Sequence, residues 1–208
     1  MFKKLALVAV LAAGTALPAA AASVFVDTFA YGPTTVTNAP DSLFAGNWQT
    51  TGGTVDYLNA TSKFGDLCAG APGCIDLDGS TSKSGLFSTV QTFAEGVYSL
   101  TFQLGGSRRG SIEAVKILFG NLSLDISIAA NEFKSSDDYL ALVSHIIVGP
   151  GGSTLSFQNG GGDNIGAILK SVSIDSVDVA AVPLPAAGGL MIAGLGALGA
   201  LRRRKARG

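Results

Sequence analysis

The sequence predicts an all-β protein: a single β-sandwich or jelly roll between an N-terminal signal peptide and a C-terminal transmembrane helix. Three observations carry the β assignment. Several segments alternate apolar and polar residues with period two, as half-buried strands do. Gly-, Asn- and Asp-containing turn signals separate these segments at short intervals. The middle of the chain is rich in Gly, Ser, Thr and Asn and poor in Lys, Glu and Arg, which favours short strands over helices.

The elements follow in chain order. Residues 1–22 read as a signal peptide: Lys3 and Lys4, an apolar run from Leu5 to Leu17, then Pro18 and the small-residue site Ala20-Ala21-Ala22, with cleavage between Ala22 and Ser23. Residues 23–181 form the ectodomain, long enough to bury a full core. Its expected strands begin with Val24–Phe29, Thr54–Leu58, Ile75–Leu77 and Leu86–Val90. Tyr98–Leu104 places Tyr98, Leu100, Phe102 and Leu104 on one face. Ile112–Phe119 contains the helix formers Glu113, Ala114 and Lys116, but Val115, Ile117 and Phe119 alternate, so it reads as a strand. Leu122–Ile128 alternates throughout, Leu140–Val148 is an apolar run holding His145, and Leu155 and Phe157 alternate with polar neighbours. Val172 and Ile174 mark the last strand, and the shift at Ser176-Val177 marks a bulge or strand end.

Residues 182–208 have three parts: the motif Val182-Pro183-Leu184-Pro185-Ala186, an apolar helix over 186–201, and a basic tail over 202–208. A 16-residue helix at ~1.5 Å per residue spans about 24 Å, short of a ~30 Å hydrocarbon core but within reach of a thinned bilayer. The arginines would stay on the cytoplasmic side and leave the domain outside. This order of motif, helix and arginine cluster resembles the PEP-CTERM class of sorting signals, in its Val-Pro-Leu-Pro-Ala variant. The resemblance implies a membrane-embedded, exosortase-type sortase as partner, cutting near the proline motif. A plain membrane anchor is the alternative. Either way the domain is exported to the cell envelope, surface or extracellular matrix of a bacterium.

Charge and cysteines agree with export. The ectodomain holds all 15 acids against about seven of the 14 basic residues, so its formal charge is near −8 although the whole chain sits at −1. Such a domain repels nucleic-acid phosphates. Cys68 and Cys74 flank Ala69-Gly70-Ala71-Pro72-Gly73, a loop of small residues, and in an oxidising compartment the pair reads as a disulfide. Half a zinc site is the alternative, but no second cysteine pair exists.

The ectodomain also resembles galactose-binding-like jelly rolls found beside such sorting signals. The matching stretches are Trp48 with Gly53-Thr54-Val55-Asp56, Cys74–Ser80, Tyr98–Leu104 with Gly106 and Arg109-Gly110, and Leu155–Asn159 through Asp163–Leu169. The resemblance implies a sugar- or matrix-binding role. Lys170-Ser171 stands where that family carries an acid–Asn pair.

Candidate sites are few. Asp76, Asp78 and Ser80 surround a glycine turn, and Asp163 and Asn164 lie in a second glycine-rich loop; together they offer oxygen ligands to Ca²⁺. The alternative is turn chemistry, in which Asp and Asn bond their own backbone. Trp48, Tyr57 and Phe44 are candidates for an aromatic sugar platform, or else core residues. Arg108 and Arg109 are candidates for an acidic glycan, or for an internal pair with one of the acids. No G-x-S-x-G elbow, H-E-x-x-H or phosphate-loop lysine appears. The leading reading is therefore a non-catalytic module that binds extracellular polysaccharide. A structural surface protein is the second reading, and a polysaccharide hydrolase using two carboxylates is the third.

Overall fold

The computed structural model describes residues 22–59, 64–68, 70–107, 109–128 and 139–177. These lie within one unit, Ala20–Asp178. The leader, the Val182–Ala186 motif, the apolar helix and the basic tail lie outside the described residues. Among those described, no helix is long and apolar enough to cross a membrane.

Among the described residues, eleven strands build two antiparallel sheets. In chain order they are β1 (Ala22–Asp27), β2 (Trp48–Thr51), β3 (Asp56–Asn59), β4 (Gly73–Asp76), β5 (Leu86–Thr89), β6 (Gly96–Gly105), β7 (Glu113–Phe119), β8 (Leu122–Ile128), β9 (Tyr139–Val148), β10 (Ser156–Asn159) and β11 (Ile168–Ser176). A 3₁₀ turn, Asp41–Phe44, precedes β2. The first sheet runs β3-β4-β11-β6-β9, with β1 also on β11; the second runs β2-β5-β10-β7-β8. The expected all-β sandwich is therefore observed.

Alternation works because each inward position meets the other sheet. Val115, Ile117 and Phe119 of β7 are buried while Ala114, Lys116 and Leu118 face outward. The alternation of Ile112–Phe119 thus prevails over its helix propensity, although Ile112 itself is 69% exposed and precedes the strand. An aromatic cluster fills the middle: Trp48 stacks on Phe87 with centroids 4.5 Å apart, and Phe157 meets Phe102 edge-on at 5.9 Å. Such pairs contribute roughly 0.5–1.5 kcal/mol beyond their burial.

The strand limits differ from the sequence expectation for local reasons. β1 stops at Asp27 because its carboxylate accepts from the Phe29 amide at 2.7 Å and Phe29 turns to φ 55°. β4 stops at Asp76 and excludes Leu77, because the Asp76 carboxylate accepts from the Asp78 amide while Leu77 N donates to Ala167 O. β10 begins at Ser156 because Leu155 N donates to the Thr89 hydroxyl. In β9 a register shift opposite Tyr98 and Leu100 forms a bulge. His145 sits in it at φ 60°, exposed to solvent. β2 carries one apolar residue in four and gave no alternation to read.

Cys68 and Cys74 form the expected disulfide, with Cα atoms 5.5 Å apart. It packs with Leu58, Leu67 and Ile168 as a small satellite of the core.

Candidate functional site

The loops beyond Asp76 gather most of the residues singled out in the sequence. Asp56 and Asp76 are cross-strand partners at the end of β3 and β4, and both are buried. Asp56 accepts from Asn38 N at 2.7 Å, Ser80 N at 3.1 Å and Ser80 Oγ at 2.6 Å, which holds the 77–84 turn. Asp76 pairs with the Arg109 guanidinium, whose Nη1 also donates to Asn164 O at 3.1 Å. Burial lifts the Asp76 carboxyl to about 7, and the Arg109 charge opposes that rise only in part. Asp78 is fully buried; its Oδ2 accepts from Gly162 N at 3.0 Å and its Oδ1 has no partner. Gly166 is obligatory beneath this group, since a Cβ there would strike the Asp76 carboxylate and the Asp78 backbone.

The calcium expectation falls on this group of residues. Asp76, Asp78 and Asn164 do converge, but the cation beside Asp76 is Arg109. Asn164 Oδ1 accepts from Ser82 N, and the exposed Asp163 accepts from Ile165 N at 3.1 Å. Among the described residues, no three His, Cys, Asp or Glu side chains form a metal-holding group. Asp163 follows the local turn chemistry, whereas Asn164 ties its loop to Ser82 far along the chain. Arg109 is an internal partner whose side chain keeps 24% exposure, with its guanidinium 6.0 Å from the Phe64 ring centroid.

The aromatic platform is corrected by burial. Trp48, Tyr57 and Phe44 all have zero exposure. Trp48 Nε1 donates to Asp27 at 2.8 Å, and the Tyr57 hydroxyl donates to Gly32 O at 2.8 Å. These rings spend their polar atoms inside the protein and present no face to a sugar.

The outer face of the β2-β5-β10-β7-β8 sheet holds a feature the sequence did not signal. Cross-strand registers align Thr51, Leu86, Gln158, Lys116 and Asp125 in one row across all five strands. Beside this row lie the small residues Ala114 and Gly160, joined by a 2.7 Å bond from Gly160 N to Ala114 O. Long side chains next to small ones leave an open cleft of about 270 Å³. Lys116, Asp125 and Gln158 supply its polar groups, and Ala114 with the backbone around Val115 and Ile126 lines the rest. Gln158 is oriented by its amide, which donates to Ser84 O at 3.4 Å. Lys116 Nζ lies 3.7 Å from Asp125 Oδ1, with both side chains more than half exposed. So open a pair is weakly coupled and available to a ligand. The cleft is therefore a shallow, mainly apolar strip with a few donors and acceptors mounted on strands at its rim. Its residues occupy the outward positions of strands, where polar side chains look like ordinary solvated surface.

No protein-family model matches the chain, and no curated protein does. Among solved structures, the chain is similar to the K1 cleaved adhesin domain of Lys-gingipain from Porphyromonas gingivalis W83. The identity is 16%, over 73% of this chain and 97% of that one, with a TM-score of 0.48. It is also similar to the CBM22-1 xylan-binding domain from Paenibacillus barcinonensis Xyn10C, at 14% identity over 78% and 100% of the two chains, TM-score 0.43. A third similarity is to an exo-beta-1,3-galactanase from Phanerochaete chrysosporium, at 11% identity and TM-score 0.39. It covers 68% of this chain and only 29% of the galactanase.

Proposed function

We propose that the chain is an exported surface or matrix protein whose sandwich is a non-catalytic, carbohydrate-binding-like module. The observation that carries this reading is the strand-mounted cleft at Lys116, Asp125 and Gln158. An acidic domain disfavours acidic chains at long range, so the ligand is a neutral polysaccharide. Export rests on the leader at residues 1–22 and is supported by the Cys68–Cys74 disulfide, a bond of oxidising compartments. Retention at the envelope rests on the motif Val182–Ala186 with its helix and arginines, and on an exosortase-type partner.

The test is binding of the Ser23–Ala181 domain to neutral and acidic polysaccharides by affinity electrophoresis and calorimetry. Neutral glycans should bind, and Gln158→Ala with Lys116→Ala should weaken them about tenfold or more, as loss of hydrogen bonds from a polar site does. Binding unchanged in the double variant would remove the cleft. Absence of binding to any glycan would favour the second reading, a structural surface protein that works by display and self-association.

A further inference from the structure

A strand at the edge of a sheet keeps a row of free N–H and C=O groups, and proteins blunt such edges with charge, a bulge or a covering segment. The edges here are β3 and β9 of the first sheet, β2 and β8 of the second, and β1 beside β4. Four of them are blunted. Residues 36–39 cover β3: Val36 and Tyr57 exchange backbone bonds of 2.8 and 2.9 Å, and Ala39 N donates to Val55 O at 2.8 Å. On β2, Thr50 N donates to Asp41 Oδ1 at 2.8 Å. A bulge between Ser23 and Phe25 breaks β1. β8, Leu122–Ile128, carries Asp125 at its centre, so a copy laid antiparallel on it sets two carboxylates face to face.

β9 is the exception. Its ten residues, Tyr139–Val148, include no Asp, Glu, Lys or Arg. One side of it bonds β6, in regular register from Tyr139 to Val143. On the other side, Asn121 takes the far end: Asn121 N donates to Ile147 O at 2.9 Å, and Ile147 N donates to Asn121 Oδ1 at 2.8 Å. Among the described residues, no strand pairs with the outer edge of Tyr139–Val143. Leu142, in the middle of that stretch, is 69% exposed.

We infer that β9 pairs antiparallel with β9 of a second copy over Tyr139–Val143, joining two sandwiches into a two-fold dimer with one sheet running through both. Charge identifies the occupant. The domain is acidic, so copies repel one another in general, and β9 is the edge where two strands meet with no carboxylate in the seam. Pairing centred on Ala141 makes the two copies of Leu142 diagonal neighbours on one face, within reach of each other and partly removed from water. Both copies use the same strand, so the contact closes on itself, and the blunted edges leave nothing to extend it into a fibre. The cleft at Gln158 is lined from β7, β8 and β10, not from β9, so each dimer carries two clefts. On the carbohydrate reading these hold one polysaccharide at two points and gain avidity. The dimer itself does not depend on that reading.

The test is sedimentation velocity of the full chain in detergent across a concentration series, with Leu142→Glu and Leu142→Lys beside the parent. The parent should dimerise as concentration rises. Each variant alone sets like charges across the seam and should weaken the dimer about tenfold or more. An equimolar mixture of the two should recover it, since Glu then meets Lys. Circular dichroism should show the parent's strand content in both variants, because the position is exposed. A parent that is monomeric at every concentration would overturn the inference, as would a dimer that both variants leave unchanged. A dimer kept in both variants but lost on removal of residues 182–208 would likewise overturn it and assign association to the glycine-bearing tail. Glycan binding by a monomeric parent would sink the dimer and leave the cleft standing.

Discussion

The loops beyond Asp76 and the outer face at Gln158 are both polar, yet they do opposite things. At the loops, carboxylates are taken out of water and fastened: Asp56 holds one turn through three donors, Asp76 meets Arg109, and Asp78 reaches Gly162 N. On the outer face, Lys116 and Asp125 stay in solvent, loosely paired. Buried polar groups must be satisfied from within, so their cost and value are structural. Exposed ones on rigid strands keep their bonding capacity for something else. A cluster of acids is thus a poor guide to a binding site when an arginine has already joined it.

The strongest way to break this contrast is Trp48→Ala. A ring with zero exposure should cost about 3–5 kcal/mol on truncation. Denaturant unfolding should show that loss directly. Retained stability with lost glycan binding would restore the aromatic platform. Next is Arg109→Ala, which leaves Asp76 buried without its cation. A fully buried broken pair costs ~3–5 kcal/mol, and the partial exposure of Arg109 reduces this to about 2 kcal/mol. The deficit should shrink in acid, where Asp76 is neutral.

The Asp76 carboxyl sharpens the same point through pH. Its pKa is raised from 3.8 to about 7 in the fold. The folded state therefore holds a proton that the unfolded chain has released, and stability from this group is full below pH 4 and lost as pH rises through 7. Asp76→Asn should flatten the fall in melting temperature between pH 5 and 7. An unchanged slope would mean that Arg109 keeps the group ionised. The smallest effect on stability is expected for Gln158→Ala, within about 0.5 kcal/mol, as for most surface changes. A large loss there would turn the cleft into scaffold.

Legibility in the sequence divides along the same line. Leu122–Ile128 matches its expected span because every second residue is apolar. Tyr98–Leu104 fits within β6 for the same reason. The Cys68–Cys74 bond was readable from two thiols and a loop of small residues. By contrast, Trp48-Gln49-Thr50-Thr51 has no period to detect. Whether Trp48 and Tyr57 face sugar or core depends on a second sheet, which residue type alone does not supply. The Arg109–Asp76 pair joins residues 33 apart. The cleft depends on Ala114 standing beside Gly160, a juxtaposition set by the register of β7 and β10.

A final consequence concerns load. β11 lies inside its sheet, bonded to β6 along one edge and to β4 and β1 along the other. The chain leaves from its end at Ser176, so tension on whatever follows runs along the strand axis. It strains both rows of hydrogen bonds sideways and together, where a tail drawn from an outermost strand would let them break singly, in succession. Under the proposed function, in which the tail holds the domain at an envelope while the sandwich binds polysaccharide, traction would reach the domain through this doubly bonded strand.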